Sequence, residues 1–345
     1  MLMTADCASE QELLTDFHSS TGARSNLMMR MPNQTGGIQD FACSVAAGLS
    51  ADPRRLDCRF LYDAEGSRLY EDICRQPEYY PTRTEAAILE RCADDICTAT
   101  GPVTMFELGS GCSVKTDHLL AAYSRIFPSL RYVPIDVSES ALRQAGGDIV
   151  CRYPSVRFTG INGTYEDAFT VFQSASPALV LFLGSTIGNL NEEEAAAFWQ
   201  AVSGNMAAGD FFLLGIDLVK DEDILNAAYN DAAGVTAAFT CNIFARMNRE
   251  LDAGLDLEYI EPSARYNPGN QRIETHACFR KSQNLHIAPL GQGFTISEGE
   301  KILVEISRKF HMTRVAEELA EYGFVVRKRY TDDNLWFGVL LFQKK

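Results

Sequence analysis

The chain has 345 residues, 46% of them hydrophobic, and carries a net charge of −15. That length supports a substantial core and two domains, while so acidic a surface argues against nucleic acid or anionic membrane as a partner. Ten cysteines are scattered without metal-ligand or disulfide spacing, so no metal is expected. No apolar run is long enough to span a bilayer, and no signal core is visible, which points to the cytoplasm.

Residues 1–36 are polar and weakly patterned apart from Met28-Met29-Arg30-Met31, and read as a loosely ordered leader. From 40 to 97 the pattern is helical, with breaks at 50–53 and 77–81. Tyr79-Tyr80-Pro81-Thr82-Arg83-Thr84 reads as a turn leading into a helix from Thr84. Residues 98–217 alternate strands and helices. The strands are expected at 103–108, 132–135, 156–159, 178–183 and 211–216, with a helix at 192–206. This βα rhythm predicts a parallel sheet covered on both faces.

The first βα turn carries Glu107-Leu108-Gly109-Ser110-Gly111-Cys112-Ser113-Val114-Lys115. A glycine turn at this place lets a ligand reach the backbone and the free N–H groups of the next helix. Val114 stands where a dinucleotide fingerprint needs its third glycine, and a P-loop is absent. Glu-x-Gly-x-Gly remains, the pattern of S-adenosylmethionine (SAM) methyltransferases; an ordinary strand-to-helix turn is the alternative.

Asp136 ends the second strand, where a carboxylate can accept both ribose hydroxyls or cap the next helix. Lys115 can pair with a cofactor carboxylate or stay solvated. Gly184-Ser185-Thr186-Ile187-Gly188-Asn189-Leu190 follows the fourth strand and suits a substrate cradle, Asn189 offering a donor and an acceptor to an amino acid. A glycine-rich turn with that asparagine as a cap fits equally.

Residues 218–300 break the rhythm. One helical stretch is expected from 221 to about 250, then antiparallel strands at 257–261 and 272–279 around the turn Asn267-Pro268-Gly269-Asn270. Asp221-Glu222-Asp223 lacks the spacing of a calcium loop. In the strand-like run 302–307, Glu305 and Ser307 share one face, either to grip an imidazole or as the wet side of an edge strand. A helix at 313–322 and a strand pair at 324–327 and 336–342 close the chain. Tyr62, Tyr79, Tyr80 and Tyr229 are aromatic candidates for holding a cation or an amine.

The fold expected is α/β: a doubly wound, Rossmann-like SAM-methyltransferase domain (98–217 and 311–345) ending in an antiparallel hairpin. A second α+β substrate domain comes from 37–97 and 218–310.

Taken together, these motifs resemble the ergothioneine-pathway L-histidine Nα-methyltransferases over about residues 40–345. The resemblance rests on Tyr62-Asp63-x-x-Gly66-Ser67, Pro77-Glu78-Tyr79-Tyr80-Pro81-Thr82-Arg83, Glu107-Leu108-Gly109-Ser110-Gly111 and Lys115-Thr116. Tyr132-Val133-Pro134-Ile135-Asp136, the Gly184–Leu190 run, Ala228-Tyr229-Asn230-Asp231, Phe239-x-x-Asn242 and Glu305-x-Ser307-x-Lys309-Phe310 complete it in the same order. It implies trimethylation of the histidine α-amino group by SAM to give hercynine. Gly109, Lys115, Asp136, Thr164 and Tyr165 would hold SAM. Asn189 and Tyr229 would hold the amino-acid head group, Glu305 and Ser307 the imidazole, with Tyr79 nearby. Tyr62 would lie by the amine as the catalytic residue. The implied partner is L-histidine, on a monomer.

Three positions depart from the family: Thr164 for a common Asp, Cys112 for Thr or Ser, and Thr275 for a Met in the side-chain pocket. Thr275 leaves open a tryptophan or other indole amino acid as substrate. A non-catalytic SAM or amino-acid sensor is a rival of another class.

Overall fold

The computed structural model describes residues 27–30, 37–111 and 113–345, so Cys112 and most of the expected leader lie outside the described residues. An eight-stranded sheet runs in the order β1-β4-β3-β2-β5-β6-β13-β12. Its strands are β1 (Leu27–Arg30), β2 (Thr104–Leu108), β3 (Leu130–Asp136), β4 (Val156–Asn162), β5 (Ala178–Phe182), β6 (Phe211–Asp217), β12 (Phe324–Thr331) and β13 (Phe337–Lys344). All are parallel up to β6, and β13 then inserts antiparallel between β6 and β12. The five predicted strands and the terminal hairpin are present. Leu27–Arg30, read as leader, instead adds a strand beside β4.

Helices cover both faces, as apolar runs such as the wholly buried β5 and β6 require. Phe106, Val133, Phe182 and Phe212 pack on one face against Phe169, Phe198 and Trp199. Met105, Tyr132, Leu179 and Leu213 pack on the other against Ile88, Leu89, Leu120 and Ile149. The helices that matter for the site are α1 (Ile38–Ser50), α2 (Ala64–Cys74), α3 (Tyr80–Thr100), α4 (Asp117–Ile126), α5 (Glu139–Arg152), α6 (Glu166–Phe172) and α7 (Glu192–Asn205). Helix α3 begins at Tyr80 rather than Thr84, with Pro81 in its first turn, where a missing N–H costs nothing.

A further core lies over the carboxyl edge of the sheet. Phe41 and Leu49 of α1 and Ile73 of α2 meet Ile273, Phe279 and Ile302 there. The last three belong to a three-stranded sheet of order β11-β8-β7, with β7 at Ile260–Asn267, β8 at Arg272–Phe279 and β11 at Lys301–Arg308. Residues 257–259 form a 3-10 turn, so the strand expected from 257 starts at Ile260. The hairpin of β9 (Gln283–Ile287) and β10 (Gln292–Ile296) was not foreseen.

The single helix expected over 221–250 is two, α8 (Glu222–Ala228) and α9 (Val235–Leu251). Gly234 sits at φ 73°, and Asp231 accepts from the N–H groups of Val235 and Thr236, giving α9 its own start. Among the described residues the last helix, α10 (Met312–Glu321), precedes β12. Among the described residues no helix is long and apolar enough to cross a membrane.

Candidate active site

The glycine loop leaves β2 at Leu108. Gly109 and Gly111 take φ 69° and 49°, a region that favours glycine, and a Cβ on Gly109 would lie 3.2 Å from the Tyr165 hydroxyl. Ser110 Oγ is buried without a hydrogen-bond partner among the described residues. Asp136 accepts from Gly111 N at 2.7 Å and Ser138 N at 2.8 Å. Ser138, not Asp136, caps α5, so the capping alternative for Asp136 falls away. Burial pushes the Asp136 carboxyl up, and its backbone N–H partners offset part of that.

Thr164 binds Asp167 Oδ2 through its N–H at 2.8 Å and its hydroxyl at 3.3 Å. That turn sets Tyr165 edge-on to Phe182, with ring centroids 5.3 Å apart. A cradle that a Cβ would crowd, a buried hydroxyl with no partner among the described residues and a carboxylate at the end of β3 beside the glycine loop fit an adenosyl group with two ribose hydroxyls.

Lys115 is not a solvated lysine. Its Nζ lies 2.6 Å from Glu85 Oε2, and Glu85 is fully buried. The same carboxylate accepts from Gly184 N at 2.9 Å, joining the cofactor loop to the start of the predicted cradle. Glu107, the acid of the Glu-x-Gly-x-Gly motif, accepts from Thr116 Oγ1 at 2.5 Å and from the Tyr132 hydroxyl. Burial pushes its pKa to about 7. It braces the loop from beneath.

On the substrate side, Tyr62 follows the 3-10 turn Cys58–Leu61, and Asp63 caps α2 through Gly66 N at 2.8 Å. A Cβ on Gly66 would sit 1.7 Å from the Leu61 carbonyl oxygen, so the turn needs glycine there. Tyr62, Tyr70, Tyr79 and Tyr229 stand in series in T-shaped, edge-to-face contacts, at 5.6, 6.4 and 6.0 Å between centroids. Burial, then the charge of Glu305, push the Tyr62 phenol well up, so it stays neutral.

Asn189 closes the 3-10 turn Thr186–Asn189 and makes a long contact to Glu305, Nδ2 to Oε1 at 3.5 Å. Asn191, with Glu194, forms the capping box of α7, so the capping alternative does not apply to Asn189. Ser307 Oγ and Tyr229 Oη are 2.8 Å apart. Ser307 is buried, and Glu305 is far enough from water that its pKa rises to about 7, Lys309 pulling it down. Ser307 therefore does not line a wet edge, and Glu305 is half-buried. Thr275, also buried, pairs with Glu305 across β8 and β11, beside a bulge between Leu303 and Glu305.

Four residues given no role by the sequence reading help to build this site: Glu85, Tyr70, Asp217 and Lys309. Asp217 ends β6 and accepts from Tyr80 Oη at 2.7 Å, while Lys220 and Lys309 lie 2.5 and 2.9 Å from its oxygens. Burial raises its pKa, but the two ammonium groups outweigh that and hold the carboxylate ionised. Lys309 was visible as part of the Glu305-x-Ser307-x-Lys309 run, and its alternation with the two site residues was the available signal.

A family described as histidine-specific methyltransferase, SAM-dependent, matches residues 41–344. The histidine N-alpha-methyltransferase of Mycolicibacterium smegmatis is 43% identical over 297 residues, spanning 86% of this chain and 92% of that protein. The protein of that name from Mycobacterium tuberculosis is 39% identical over 87% of this chain and 94% of its own length. The L-tryptophan methyltransferase trpM of Psilocybe serbica is 26% identical over 88% and 93%.

Proposed function

The chain belongs to the SAM-dependent, histidine-specific methyltransferases, and from that premise we propose that it trimethylates the α-amino group of L-histidine to give hercynine. The observation that carries the reading is the grouping of Asn189, Tyr229, Glu305 and Ser307 beside a wall of tyrosine rings. Asn189 and Tyr229 take the amino-acid head group. Glu305 and Ser307 take the imidazole. Gly109, Lys115, Asp136, Thr164 and Tyr165 hold SAM, with Asp136 on the ribose and the ring of Tyr165 beside Gly109.

SAM supplies an electrophilic methyl group on its sulfonium centre. The chain's task is to bring a neutral amine into line with it. A free amino acid carries its α-amino group largely as an ammonium at neutral pH, so one proton must pass to solvent before each attack exposes the lone pair. Tyr62, a neutral phenol, hydrogen-bonds the amine and orients its lone pair. Fixing two reactants in attack geometry is worth up to roughly 7–11 kcal/mol in favourable systems. The faces of Tyr62, Tyr70 and Tyr79 accommodate the cation as methyl groups accumulate. The third transfer leaves no N–H, which ends the series.

Mass spectrometry of purified protein with SAM and the pooled twenty amino acids tests this. A gain of three methyl groups on histidine alone is expected. Methylated tryptophan with untouched histidine would overturn the substrate, and SAM binding without any methylated product would overturn the reaction.

A further inference from the structure

One buried cation serves two of the substrate-facing hydroxyls. Lys309 Nζ donates to Tyr229 Oη at 2.9 Å and to Ser307 Oγ at 2.8 Å, and lies 2.9 Å from Asp217 Oδ2. Its side chain is fully buried. An ammonium has three protons, and these three partners use them all. Tyr229 and Ser307 are themselves 2.8 Å apart, so one of their two hydroxyl protons lies between them. The pair therefore accepts twice from Lys309, satisfies itself once, and has a single proton left for a ligand.

We infer that Lys309 is a positioning residue for the histidine side chain: it fixes the polarity of the Tyr229–Ser307 pair so that Ser307 offers one donor beside the Glu305 acceptor. The inference rests on the histidine reading above. Ser307 and Glu305 are two residues apart on β11, about 6.7 Å along a strand. Either hydroxyl could give the shared proton; a phenol is a much stronger acid than an alcohol, so in this proposal Tyr229 donates to Ser307 and Ser307 passes its own proton outward, leaving the Tyr229 oxygen to accept from an N–H of the head group. A ring that satisfies both sites must present one N–H and one bare nitrogen. Neutral imidazole does. Imidazolium presents two N–H groups and indole only one, with no acceptor, so each leaves the Ser307 proton unpaired in a buried place, a costly outcome. Ser307 thus becomes a donor through a lysine that is itself fully buried.

Lys309 also biases the acid. Glu305 is faced by Cys58 and Tyr62 from the 58–62 segment, by Asn189 from the cradle and by Lys309 from just past the end of its strand; among these only Lys309 lowers its pKa. Removing the ammonium moves the acid limb of kcat/KM for histidine to higher pH.

The test uses the full chain, with wild-type histidine methylation measured first. Without that activity the function proposed above fails, and not the role of Lys309. In K309M, Asp217 keeps Lys220 and Tyr80 as partners, so the fold has support. K309M should raise KM for histidine at least tenfold, leave SAM affinity within twofold, and shift the acid limb upward. In an S307A background the same change should lose most of its effect. K309Q, which restores donors without charge, should recover part of KM but keep the shifted limb. An unchanged histidine KM in K309M, or an effect of equal size in S307A, overturns the proposal. If K309M loses SAM binding, the cycle of K309Q with S307A decides by the same criterion.

Discussion

Glu305 sets recognition against stability. Burial pushes its pKa to about 7, whereas an unfolded glutamate titrates near ~4.3. The folded state therefore binds this proton more tightly than the unfolded chain. The stability it lends is complete below the unfolded value and is lost as pH rises through the folded one. Glu305→Gln keeps the shape and removes the charge. Its melting temperature should exceed that of the wild type at about pH 8, the gap closing towards about pH 5. Its affinity for histidine should fall tenfold or more. Thermal melts across pH, followed by circular dichroism, check the first part; a lower melting temperature at the alkaline end would contradict it. The pocket's acid and hydroxyl were legible in sequence because they alternate on one short apolar run. Glu85 and Asp217 were not, since each acts through partners far along the chain: Glu85 through Lys115 and Gly184, Asp217 through Tyr80 and Lys309.

At the level of elements, α3 ties the two sides of the site together. Tyr79 and Tyr80 join the core over the sheet edge, while Ile88, Leu89 and Cys92 pack on the sheet face. Glu85 lies between them and fixes Lys115 and the cradle at Gly184. It has room because residue 215 of β6 is glycine: a Cβ there would lie 1.9 Å from Glu85 Oε1. Gly215→Ala should cost about 1–3 kcal/mol of stability, the range for overpacking. It should also weaken SAM binding, because Lys115 loses its support. Gly338→Ala is the control. It sits opposite Ile216 on β13, and its Cβ would meet the flexible end of Met312 at 2.9 Å, so SAM affinity should survive. Urea denaturation and calorimetry with S-adenosylhomocysteine measure both effects; equal loss of affinity in the two variants would remove Glu85 from this role. The main strands were readable because apolar runs between glycine turns have few alternatives in an α/β chain. The β9–β10 hairpin was not, because Gln283, Asn284, His286, Gln292 and Thr295 leave little apolar signal. The break between α8 and α9 escaped because Asp231 and Gly234 sit inside an otherwise continuous helical pattern.

For the whole molecule, the substrate pocket has no single owner. Tyr62 and Tyr79 come from one stretch, Asn189 from the sheet's loops, Tyr229 from the end of α8, and Glu305 with Ser307 from β11. A ligand that bridges them ties distant parts of the chain, and unfolding must release it. Binding only to the folded state adds about 2.7 kcal/mol at a hundred times Kd. S-adenosylhomocysteine alone should raise the melting temperature by engaging the glycine loop and Asp136. Histidine added to that complex should raise it further. Glu305→Ala should abolish the second increment and spare the first, since Glu305 makes no bond to the described loop residues. Differential scanning fluorimetry with each ligand alone and together reads this directly. If Glu305→Ala removed both increments, the two ligands would share one stabilised unit, and Glu305 would act on the fold before it acts on histidine. If it removed neither, the imidazole would bind elsewhere, and tryptophan in the same assay would show whether the pocket opposite Thr275 prefers an indole.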